Sequence, residues 1–177
     1  RVNRAGDDAA GLAISEKMRA QITGLDAATK NVKDGISMVK TAEGAMQEIH
    51  DMLNRMSYLA TQSANGTYDD ATDRANLQAE VTALGAEIDR IATNSNFNGT
   101  KLLDGTLNAT LQIGDTAAET ITVAVSSMKY SDLFSTAPNI GAIGTANTAI
   151  TNIKTAINTV SSARGGLGAI QNRLEHT

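Results

Sequence analysis

From about Asp7 to Ala64 the chain contains no proline and no cluster of turn-forming residues. Within that stretch fourteen apolar residues, from Met18 through Ile22, Leu25, Ala28, Val32, Ile36, Val39, Ala42, Met46, Ile49, Leu53, Met56 and Ala60 to Ala64, recur at a mean spacing of about 3.5. That is the period of helices wound along a seam rather than of a free helix. A helix of this extent runs roughly 85 Å at about 1.5 Å per residue, far longer than a compact domain of this size is wide. The pattern therefore predicts an elongated, rod-like architecture.

The remaining segments fit such a rod. Asn65-Gly66-Thr67 is expected to stop the first helix, with Gly66 in the left-handed conformation. Leu77, Val81, Leu84, Ile88 and Ile91 step by 4, 3, 4 and 3 and predict a second helix over about 72–94. It ends in the polar cluster Asn94 to Gly99, whose Phe97 is expected to be buried. Leu111 to Ile113 and Ile121 to Val125 then alternate with period two around Gly114-Asp115, which predicts a β-hairpin region over about 107–128. Irregular chain is expected from Tyr130 to Gly144, where the single proline, Pro138, falls. A last helix over about 145–175 places Ala146, Ile153, Val160, Leu167 and Leu174 on one heptad position; Ile143, Ile150, Ile157, Arg164 and Gln171 occupy the other. The expected fold is mainly α: one rod domain over 1–177, a three-helix coiled-coil-like bundle with a small β-hairpin region.

Composition removes most chemistries. Among the 177 residues there is no Cys or Trp and only five aromatics: Tyr58, Tyr68, Phe97, Tyr130 and Phe134. Disulfides, thiolate metal sites and Cys nucleophiles are excluded, and two distant histidines (His50, His176) make no metal or triad set. Fifteen basic and nineteen acidic residues are interleaved, giving a net charge of −4, with no basic tract and no stacking platform for nucleic acid. No apolar run is long enough for a membrane-spanning helix. The glycines near Arg164 precede no Lys-Ser/Thr pair, so they make no nucleotide loop. His50-Asp51 and the acidic pairs read as solvated charge, and the Asn-X-Thr triplets at Asn65, Asn98 and Asn108 read as turn chemistry. No catalytic, cofactor or metal residue emerges. Gly11, Gly24, Gly35 and Gly44 read as tolerated weak points of the first helix, or as places where another helix approaches closely.

One flank of the first helix stands apart. With Leu53, Met56 and Ala60 setting the buried direction, Arg55 lies roughly 130° away, and Met52 and Leu59 roughly 70° to 90° away. An Arg among partly exposed apolar residues is a candidate hot spot for a protein partner.

The block from Arg1 to Ile14, with Asn31 to Val39, Gln62 to Thr67, Glu87 to Arg90, Asn96 to Gly99 and Leu167 to Arg173, resembles bacterial flagellin in the family's own order. The resemblance is weakest over about 106–148. It implies a structural, non-catalytic subunit that polymerises with other flagellin subunits into the flagellar filament, secreted and extracellular, needing no cofactor. It also implies recognition by Toll-like receptor 5. The matching stretch is Leu53 to Ala60 leading into Gln62 to Thr67, with Glu80 on the second helix. Arg55, Leu59 and Glu80 are then the main receptor contacts, with Met52, Gln62, Asn65 and Gly66 around them. Tyr58 departs from the acidic residue expected at its position. Flagellins carry helical segments before the first of these blocks and after the last, so the chain is expected to be a piece of a longer protein. The alternative class is a cytoplasmic signalling coiled coil of the chemoreceptor type, which predicts unbroken heptads and no hairpin.

Overall fold

A computed structural model describes residues 5–177; Arg1 to Arg4 of the first flagellin-like block lie outside the described residues. The unbroken apolar seam forms a single helix, α1 (Ala5–Ser63), about 88 Å long at 1.5 Å per residue. After a turn, one π-helical loop (Asp70–Arg74) leads directly into α2 (Ala75–Asn94). Four short strands follow: β1 (Asn96–Phe97), β2 (Thr100–Lys101), β3 (Asn108–Gln112) and β4 (Thr120–Ala124). A single turn, α3 (Tyr130–Leu133), precedes α4 (Ile143–Glu175). The architecture is the mainly α rod with a small β region that the periodicity predicts.

Three contacts show that α4 runs antiparallel to α1. Leu174 lies against Gly35, Arg164 pairs with Glu43, and Ile140, just before α4, accepts a hydrogen bond from Ser63 near the far end of α1. The α4 seam is fully buried at Ala146, Ile153, Val160, Leu167 and Leu174, with Ala149 and Ala156 between them. Val39, Ala42, Met46, Ile49, Leu53, Met56 and Ala60 face it from α1, and Val81, Ile88 and Ile91 from α2 complete one continuous core. Thin side chains allow these seams to close without large rings.

The seam of α1 is not covered throughout. Met18, Ile22 and Leu25 are 46–58% exposed, and Leu12 and Ile14 are 62% exposed. Between residues 24 and 35 the cover is the hairpin instead. Asn31 donates to the carbonyl of Gln112 at 3.0 Å, and Leu111 packs where a side chain on Gly35 would stand. Asp115, at the hairpin's turn, reaches Gly24. The close approach at Gly24 is therefore made by the hairpin's turn, and that at Gly35 by β3 together with Leu174 of α4. Gly11 and Gly44 face open space.

The antiparallel β3–β4 ladder pairs Asn108 with Ala124 through Gln112 with Thr120. Its alternation buries Ile121 and Val123 and exposes Thr122. The polar cluster after α2 is itself a hairpin, β1–β2, turned by Asn98 (φ 52°) and Gly99 (φ 83°). Positive φ at both turn residues is what a two-residue hairpin demands, and Asn-Gly supplies it. Phe97 there is half-buried rather than buried. The expected irregular stretch contains α3, held on α2 by Tyr130: its ring covers Gly85, its N–H donates to Asp89, and it packs at 5.1 Å against Phe134. Burial pushes the Tyr130 phenol up to about 12. From Phe134 to Ala163, Lys154 is the only charged residue, so the outer face of α4 up to Ala163 is built mainly of Thr, Asn and Ser.

Candidate partner-binding surface

Two helices of an antiparallel pair place residues equidistant from their turn side by side. Arg55 on α1 and Glu80 on α2 stand in that relation. The Arg55 guanidinium donates through Nε to Glu80 Oε2 at 2.6 Å and through Nη2 to Oε1 at 3.1 Å. This two-pronged geometry is the one in which a planar guanidinium matches a carboxylate. The hydrogen bond to Glu80 raises the Arg55 pKa above its ordinary value, and the same bond lowers that of Glu80. Arg55 also lies 5.2 Å from the centre of the Tyr58 ring, a cation–π distance. Tyr58 is 60% exposed, and both members of the ion pair are more than 40% exposed at their side chains. The result is an open platform of Tyr58, Arg55 and Glu80 bridging α1 and α2, with half-buried Met52 at its edge.

Leu59 is not part of the exposed flank. It is 1% exposed and belongs to the core. The seam toward α4 defines only one buried direction, but α2 packs on the flank that carries Arg55, widening the buried stripe to include Leu59. Gln62 is half-buried and donates to the Tyr68 hydroxyl at 3.1 Å. Asn65 and Gly66 are exposed at the α1–α2 corner, where the Asn65 side-chain oxygen accepts from Thr67 N–H at 3.2 Å.

That corner is organised by a residue the sequence reading passed over. Arg74 is 3% exposed. It donates to the carbonyls of Ser63 (2.7 Å), Asn65 (2.7 Å) and Tyr68 (2.5 Å), and to the Asp70 carboxylate at 2.9 Å. Gly66 does not adopt the left-handed conformation; the positive-φ glycines are Gly99 and Gly105. The last carbonyl of α1, Ser63, and two carbonyls of the following turn find their donors on the guanidinium, and Ala64 and Asn65 N–H satisfy Ala60 and Gln62, so the left-handed cap is unnecessary. The i, i+4 spacing of Asp70 and Arg74 was the one visible signal. A second arginine, Arg164, occupies a heptad position of α4. It bonds Glu43 at 3.0 Å and His50 Nδ1 at 2.9 Å, so half-buried His50 lies in the α1–α4 interface rather than on a solvated face.

Among the described residues no cluster of His, Asp or Glu could hold a metal ion, and no helix is long and apolar enough to cross a membrane. The depressions between α4 and the segment before it, lined by Pro138, Thr145 and Asn152, are shallow and open. Long antiparallel helices with paired charges displayed outward define a structural rod.

The comparisons give that class its family. Residues 1–108 match the bacterial flagellin N-terminal helical region. A flagellin of Bacillus subtilis is 45% identical over 215 aligned residues, which take in 100% of this chain and 69% of that protein. A flagellin of Halalkalibacterium halodurans is 48% identical, covering 100% of this chain and 66% of its own length. The crystal structure of Bacillus cereus flagellin superposes with a TM-score of 0.75 at 36% identity, covering 84% of this chain and 86% of that one. The chain belongs to the bacterial flagellins, the structural subunits of the flagellar filament. It spans about two thirds of the length of these relatives. The β3–β4 hairpin and this membership remove the grounds for a signalling coiled coil.

Proposed function

We propose that residues 1–177 form one rod domain that packs side by side with other copies in an extracellular flagellar filament, and that its α1–α2 face is bound by Toll-like receptor 5. The rod reading rests on the single core that joins α1, α2, the hairpin and α4. The receptor reading rests on one observation: Arg55, Glu80 and Tyr58 form an exposed, preorganised platform across two helices. An Arg held in a two-pronged pair and stacked on an aromatic ring loses little rotamer freedom when a partner docks. Half-buried Met52 edges this platform, Leu59 stands in the core beneath α1, and Gln62, Asn65 and Gly66 extend the proposed surface toward the α1–α2 corner.

The test is binding to the receptor ectodomain. Arg55→Ala is expected to weaken binding by at least about tenfold, the loss of a hot-spot side chain. Lys154→Ala, on the far face of α4, is expected to bind like the parent. Unchanged affinity for both Arg55→Ala and Glu80→Ala refutes the receptor reading.

A further inference from the structure

The chain contains two Asn-Gly steps, Asn65-Gly66 and Asn98-Gly99. In such a step the glycine nitrogen, unhindered by a side chain, can attack the asparagine side-chain amide. Both steps are exposed. Their surroundings differ.

At Asn98 the nucleophile is occupied: Gly99 N–H donates to Asn96 Oδ1 at 3.3 Å. At Asn65, no group among the described residues accepts from Gly66 N–H. The Asn65 Oδ1 atom accepts from Thr67 N–H at 3.2 Å. That oxygen takes up negative charge when the neighbouring nitrogen adds to Cγ, and a backbone N–H already aimed at it stabilises the charge. A cation also stands where a product charge would form, because Arg74 Nη2 donates to the Asn65 main-chain oxygen at 2.7 Å.

We propose that Asn65-Gly66 is a site of spontaneous deamidation, singled out by the fold from the other Asn-Gly step. Gly66 N bonds to Asn65 Cγ and gives up its proton, and the side-chain nitrogen leaves as ammonia, closing a five-membered succinimide. Water then opens the ring and restores the proton to nitrogen. No electrons are gained or lost. Opening at the former main-chain carbonyl routes the backbone through Cγ and leaves a carboxylate on Cα, beside Arg74. This pairing favours isoaspartate over aspartate. The modification writes a negative charge onto the α1–α2 corner, within the surface described above.

The experiment ages the purified chain at mildly alkaline pH, folded and in denaturant, and maps peptides by mass spectrometry with isoaspartate-specific labelling. In the folded chain Asn65 is expected to convert about tenfold faster than Asn98, whose glycine N–H must first break a hydrogen bond. In denaturant the two rates converge. Asn96→Ala, which frees Gly99 N–H, is expected to speed conversion at Asn98. Equal folded rates, faster conversion at Asn98, or a ratio that survives unfolding overturns the proposal.

Discussion

Removing the Arg74 guanidinium tests whether a side chain, and not a glycine cap, closes the α1–α2 corner. Arg74→Met keeps the length and apolar stem of the residue and deletes its donors. The Ser63 carbonyl loses a 2.7 Å partner in a buried setting; those of Asn65 and Tyr68 sit nearer water and recover part of their loss. A buried acceptor left without its charged donor costs about 1–3 kcal/mol, and two partly solvated ones add less. The expected total is about 3 kcal/mol, a fall in Tm of roughly 6–12 °C for a chain of this size. Asp70 adds little to that sum, because its side chain is 64% exposed. The counterpart is Gly66→Ala. Gly66 has open space around it and no positive φ, so the change is expected to stay within about 0.5 kcal/mol of neutral. Urea and thermal unfolding followed by circular dichroism read both values. If Gly66→Ala costs more than Arg74→Met, the corner is held by backbone conformation and the argument from the guanidinium fails.

Two glycines in helix interiors should respond with opposite signs. Gly85→Ala drives a methyl into the Tyr130 ring, whose atoms stand 2.6–3.0 Å from the added carbon, and is expected to cost about 1–3 kcal/mol. Gly44→Ala meets nothing and is expected to stabilise by about 0.5–1 kcal/mol through helix propensity alone; denaturant midpoints measure both. The Glu80 carboxyl has a folded pKa below its ordinary 4.5. Its pairing therefore stabilises the fold above about pH 4.5 and is lost as pH falls through the lower folded value. Parent and Glu80→Gln should accordingly differ in Tm at neutral pH in low salt and converge in acid and in high salt, because the pair is exposed. A difference that persists in acid contradicts the assignment.

The periodic seams were legible because burial by a second helix repeats at the period of the helix itself. Val39 to Ala60 on α1 and Ala146 to Leu174 on α4 are core in the structure. A seam, however, carries one direction and no partner. It could not say that α2 lies on the Arg55 flank, which is why Leu59 looked exposed. Gly24 and Gly35 announced close approach without naming the hairpin as its main cause, and Asn98-Gly99 was read as a helix stop when it also turns a hairpin. Of the candidate surface, Arg55 and Glu80 were found separately. Their two-pronged pairing across α1 and α2 depends on the tertiary register, and the position of Tyr58 beside them likewise has no sequence period. Arg74 was missed because a buried arginine satisfied by backbone carbonyls leaves no pattern beyond one acidic neighbour.

The outer face of α4 carries a consequence of its own. With Lys154 the one charge between Phe134 and Ala163, contacts made there depend on shape and on hydrogen bonds between uncharged groups. Dissolved ions screen charges over about 8–10 Å at ordinary ionic strength, but they have little purchase on such a surface. The α1–α2 side, with its Arg55–Glu80 and Arg90–Glu87 pairs, feels every change in salinity. The rod thus has one side where salt concentration tunes the strength of polar contacts and, up to Ala163, one side where it has little effect.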